Sequence, residues 1–92
     1  MTEAEILEDL LRLAESSGLR VQRLPRGRAL EGGPPVASAV CRMGDEWRIL
    51  LVASDTLDER IAVVAAALRE HRAEWLEARH VPPALRQVIE PN

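Results

Sequence analysis

The 92 residues carry 15 Asp and Glu against 12 basic side chains, every one of them Arg, so the net charge is −3 with His neutral. That length allows one domain, and a domain this small buries only about 60–65% of its unfolded surface, so a thin core and dimerisation are expected. No apolar run approaches the roughly 18–20 residues that cross a bilayer, the start Met1-Thr2-Glu3-Ala4-Glu5 is acidic where a secretion signal is basic, and a negative chain with two Trp, no Phe and no Tyr lacks both the charge and the rings of a nucleic-acid binder.

Thr2 to Ser17 reads as a helix. Thr2 with Glu5 three residues on is a capping box. At about 100° per residue, Ile6, Leu7, Leu10, Leu11, Leu13 and Ala14 share one arc, and the acids lie elsewhere. Gly18 stands where a C-terminal cap belongs. Leu19 to Leu24 reads as a strand, with Leu19 and Val21 on one side and Arg20 and Gln22 on the other. Pro25 ends it. Residues 25–35 hold three Gly and three Pro; they read as a flexible loop, long for so small a domain, which points to function or disorder.

Val36 to Met43 and Trp47 to Ala53 read as a hairpin. Gly44-Asp45 is the turn, with Gly at the first turn position as a type II′ turn requires. After Arg48 the second arm is apolar on both faces, which marks a central strand or one covered on both sides. Cys41, alone in the chain, excludes an intrachain disulfide and a thiolate metal cage. No nucleophile elbow flanks it, so it is expected to pack in the core.

Thr56 with Glu59 is a second capping box. Ile61 to Leu68 contains no polar residue, so this second helix is expected to be buried all round. Ile61, Val64, Ala65 and Leu68 form the stripe toward the sheet. Ala62, Ala66, Val63 and Ala67 form a small-residue back, open to close approach by the third helix or by a second subunit. Glu70 to Arg79 reads as a polar helix carrying Trp75 and Leu76. His80-Val81-Pro82-Pro83 breaks it, and residues 83–89 read as a short last helix with Pro in its first turn. The expected fold is a single α+β domain over residues 1–92. Its sheet has three strands, mostly antiparallel or mixed, with the helices packed on one face.

The helix ending Leu-Ala-Glu-Ser-Ser-Gly-Leu-Arg-Val, the Gly/Pro loop, the hairpin arm Trp-Arg-Ile-Leu-Leu-Val and the capped helix from Thr56 to Leu68 together resemble the compact metallopeptidase domain of the ImmA/IrrE type. The resemblance covers about residues 7 to 70 and rests on element order and apolar pattern. It extends to short bacterial proteins with the same order and no His-Glu-x-x-His motif. The resemblance implies the motif's three functional positions at about Ala65, Ala66 and Arg69. Zinc hydrolysis needs two imidazoles and a carboxylate there. Alanine supplies neither, so the resemblance implies a scaffold without its active site in a bacterial protein, and the acidic start unlike a secretion signal leads to the expectation of a cytoplasmic setting.

Several groups remain as candidates. Arg20, Arg23, Arg26 and Arg28 have no acid between Gly18 and Glu31; they read either as a site for an anion or acidic partner or as solvated charges that protect an edge strand. Trp75, among acidic neighbours, is a candidate interface anchor, and Ala62 with Ala66 a candidate subunit contact. His71, Glu74, Glu77 and His80 recur every three residues. That spacing drifts by about −60° per step, so four ligands cannot converge from one straight helix. The stretch from Gly27 to Gly33 has neither the Lys-Ser/Thr of a P-loop nor a dinucleotide fingerprint. No catalytic, cofactor or metal residue is expected. The expectation is a non-catalytic interaction or regulatory module, self-associating as a homodimer, with no nucleic-acid or membrane partner. The alternatives are a small-molecule or anion sensor built on the Arg segment, and a residual hydrolase with relocated ligands.

Overall fold

The computed structural model describes residues 1–24 and 37–91. The expected loop at 25–35, with Arg26 and Arg28, lies outside the described residues. Seven elements follow in order: α1 (Glu3–Ser16), β1 (Arg20–Leu24), β2 (Ala39–Met43), β3 (Glu46–Val52), α2 (Leu57–His71), α3 (Ala73–Glu77) and α4 (Pro83–Ile89).

Local chemistry sets most boundaries. The Glu5 N–H donates to Thr2 Oγ1 at 3.2 Å, and the Thr2 N–H donates to the Glu5 carboxylate at 3.1 Å. This closes the capping box that starts α1. Gly18 ends the helix in the left-handed region, at φ +92°, where a side chain would be strained. The N–H groups of Gly18 and Leu19 then return to the carbonyls of Glu15 and Ala14 at 3.1 and 3.0 Å. Thr56 caps α2 by accepting the Glu59 N–H at 3.1 Å, but its own backbone N–H does not reach Glu59, so the expected second capping box is only half formed.

The sheet has the order β1-β3-β2. β2 and β3 form the expected antiparallel hairpin, with Met43 opposite Glu46 across the Gly44-Asp45 turn. Gly44 has φ +65°, as the first position of such a turn demands. β1 pairs parallel with β3, Val21 facing Ile49. The sheet is therefore mixed, one pair of each sense, within the expected three-stranded α+β domain. The hairpin puts β2 on the far side of β3, which leaves β3 free to accept β1 on its other edge. The central place of β3 explains why its sequence is apolar on both faces.

Pairing register assigns the faces. Val21, Val40, Trp47, Ile49 and Leu51 share the inner face and pack with the helices. Ile49 and the helix residues Leu10, Val64 and Leu68 are fully buried. α2 is the centre of the helical layer. It packs against α1, against β3 and against α4, and α4 adds Leu85 and Ile89 to the core.

Three expectations need correction. α2 is not buried all round: Ile61, Val64, Ala65, Ala67 and Leu68 are buried, but Ala62 is exposed and Val63 and Ala66 are half-buried. Its neighbours leave one side of the helix open. The polar helix does not run from Glu70 to Arg79, because α2 continues to His71 and breaks at Arg72, at φ −137° and ψ 28°. There the Arg72 guanidinium turns inward and donates to the Ser17 carbonyl at 2.9 Å and to the His71 carbonyl at 2.7 Å. Cys41 is half-buried and lies on the face away from the helices, opposite Arg48, so it does not join the core.

Candidate functional site

The strand period separates the two described arginines of the basic segment. Arg20 lies with Gln22 and Leu24 on the outer face of β1, and Arg23 lies with Val21 on the inner face. Arg20 is bound into a surface cluster: its Nε lies 3.4 Å from a Glu46 carboxylate oxygen, and Arg48 Nη2 lies 3.7 Å from the same oxygen. Arg23 takes no part in that cluster. It faces a narrow crevice lined by Leu7, Leu11, Leu51, Ala53 and Arg60, with Glu8 and Leu24 at its walls.

This crevice sits where β1 and β3, the parallel pair, end and α2 begins. Arg60, in the first turn of α2, has its Nε buried with no hydrogen-bond partner. Among the described residues neither Arg23 nor Arg60 makes an ion pair. The nearby Asp55 is occupied elsewhere: it accepts the Ser38 N–H at 2.8 Å, and Ser38 Oγ accepts the Val52 N–H at 2.9 Å. The Ser38 hydroxyl and N–H hold the Asp55 carboxyl below the usual carboxylate range, with the Arg60 charge adding to the effect. This relay staples the segment before β2 to the end of β3.

The outer face of the sheet is the second feature. Leu24, Leu50 and Val52 alternate onto it, with Ala39, Cys41 and Met43 from β2. Leu24, Leu50 and Cys41 are half-buried, Met43 is 52% exposed, and Val52 at the end of the face is buried. None of these side chains belongs to the helix-packed core. The Arg20–Glu46–Arg48 cluster borders this face.

The remaining candidates are scattered. Trp75 is half-buried against the core, and the Arg79 guanidinium lies over its ring at 4.1 Å, which supplies a cation–π partner within the chain. Trp47 packs on the inner sheet face and stacks on His71, with centroids 3.8 Å apart and planes 20° from parallel. The break at Arg72 divides the His71, Glu74, Glu77 and His80 series among α2, α3 and the following segment. Among the described residues no three His, Cys, Asp or Glu side chains are placed to hold a metal ion, and no helix is long and apolar enough to cross a membrane. Ala62 and Ala66 lie on the open side of α2. Arg60 had no sequence signal, because only the parallel pairing of β1 with β3 carries Arg23 to the start of α2. No family model matches the chain, and no curated protein or solved structure is significantly similar to it.

Proposed function

We propose that the chain is a non-catalytic interaction module that self-associates as a homodimer through the outer face of its sheet. The observation that carries this reading is the one-sided packing of the sheet: the helices cover Ile49 and Leu51, while Leu50 and its neighbours Ala39 and Met43 point the other way. A domain of 92 residues has a thin core, and a second copy on this face would extend it. The bordering cluster carries both signs of charge, Arg20 and Arg48 about Glu46. A two-fold arrangement can set opposite charges of such a cluster against each other.

The resemblance to the ImmA/IrrE type enters here as part of the proposal, as a scaffold put to binding. Support comes from what fills the three positions. Ala65 is 3% exposed, Ala66 is half-buried, and Arg69 donates from Nη1 to the Ile89 carbonyl at 2.7 Å, tying α4 to α2.

Light scattering with in-line size exclusion over a concentration series tests the reading. The expected result is a dimer at high concentration, lost in Leu50→Glu with the circular dichroism spectrum unchanged. Ala66→Glu, on the open side of α2, leaves the dimer intact. A monomer at every concentration, or a dimer indifferent to Leu50→Glu, would overturn the proposal.

A further inference from the structure

We infer that the crevice between α1, the ends of β1 and β3, and the first turn of α2 is a binding site for a small aliphatic monocarboxylate. Four observations converge on this ligand. First, the crevice holds two guanidinium groups, Arg23 and Arg60, contributed by elements distant in sequence. Second, Arg60 Nε is buried without a partner. A buried donor left unmade is unfavourable, and the Arg fork matches a carboxylate in geometry and charge. Arg48 Nε is also buried and unpaired, but the other end of that side chain is bound to Glu46. Arg60 has no such pair among the described residues.

Third, the charge of the lining selects a monoanion. Two Arg against one Glu, Glu8, leave a net +1, which one carboxylate neutralises and a phosphate dianion overshoots. Fourth, the rest of the lining is aliphatic: Leu7, Leu11, Leu24, Leu51 and Ala53. The cavity of about 150 Å³ holds a ligand of a few carbons and excludes a nucleotide. An aliphatic tail would lie on the leucines while the carboxylate meets the two arginines. Asp55, whose Oδ2 accepts the Ser38 N–H, makes no ion pair with Arg60 and acts on it only through its charge.

NMR titration of the full chain at constant ionic strength tests the site. The probes are isovalerate, its uncharged isostere isovaleramide, and inorganic phosphate. Isovalerate is expected to saturate with a Kd on the order of 1 mM, a reasonable affinity for so few heavy atoms. Shifts are expected in the methyls of Leu7, Leu11 and Leu51. Isovaleramide and phosphate bind about tenfold more weakly or worse, and so do the variants Arg60→Gln and Arg23→Gln. Arg23 is exposed, so its variant carries the test if Arg60→Gln fails to fold. No saturation by about 50 mM isovalerate, equal binding of the amide, tighter binding of phosphate, or unchanged affinity in Arg23→Gln each overturns the inference.

Discussion

Ile49 and Leu50 are adjacent in β3 and similar in size, yet the fold assigns them opposite fates. Ile49 is 0% exposed on the helix-packed face, between Val21 and Val40 on the flanking strands. Leu50 is half-buried on the outer face. Ile49→Ala removes three carbons, about 2.4 kcal/mol of transfer free energy at roughly 0.8 kcal/mol per carbon. It also leaves a cavity that α2 and the sheet cannot fully close, which raises the expected cost to about 3–4 kcal/mol. Leu50→Ala removes as many carbons from a half-exposed site and leaves no enclosed void, so about 1 kcal/mol is expected. At about 4–8 °C per kcal/mol for a domain of this size, the two melting temperatures should fall by roughly 12–30 °C and 4–8 °C. Urea unfolding followed by circular dichroism, with the protein dilute enough to be monomeric, measures both. Equal costs for the two variants, or a larger cost for Leu50→Ala, would refute the assignment of faces.

Replacing Arg72 by Met keeps an unbranched apolar stem and removes the donors to the Ser17 and His71 carbonyls; chemical denaturation should show a loss of about 1.5–3 kcal/mol, and a loss below about 0.5 kcal/mol contradicts a role in joining α1 to α2. Gly18→Ala places a side chain at φ +92° with open space around it, so the cost is backbone strain alone, about 1–2 kcal/mol, and less for Gly18→Asn. Asp55 titrates lower in the fold than its ordinary value of 3.8. Its contribution to stability is complete above that value and disappears as pH falls through the lower folded value. Asp55→Asn should therefore be less stable than the wild type near neutral pH, with the gap closing on acidification in a pH series of thermal melts. Glu3 shows the opposite sign. The Asp58 carboxyl beside it, through a hydrogen bond and its charge, raises the Glu3 titration above the ordinary 4.5, so ionisation of Glu3 destabilises the fold as pH rises. Glu3→Gln should melt at or above the wild-type temperature at neutral pH and lose that advantage in acid.

Local signals were legible where a short stretch decides its own conformation. The Thr2–Glu5 capping box, the Thr56 cap, Gly18 and the Gly44 turn stand where their sequences place them. The apolarity of β3 on both faces gave its central position. What escaped depends on contacts between distant segments. Nothing at Arg72 signals a break, since no Gly or Pro stands there; the break accompanies hydrogen bonds to Ser17, far back in the chain. The parallel sense of β1 follows from which edge of β3 the hairpin leaves open, and hydrophobic alternation is silent on that. Cys41 shares a face with Ala39 and Met43 in either register, but which face the helices cover depends on the packing of α1 and α2. Strand alternation does separate Arg20 from Arg23, and their odd spacing shows it. The meeting of Arg23 with Arg60 has no trace in the sequence.

Methyl NMR over a concentration series tests the proposed self-association and its interface most directly. With the outer sheet face as the interface, the methyl signals of Leu24, Leu50 and Met43 shift and broaden together as concentration rises, while the exposed Ala62 methyl on α2 stays fixed. Concentration-dependent shifts at Ala62 and Ala66 with Leu50 and Met43 unmoved would contradict it and assign self-association to the open side of α2.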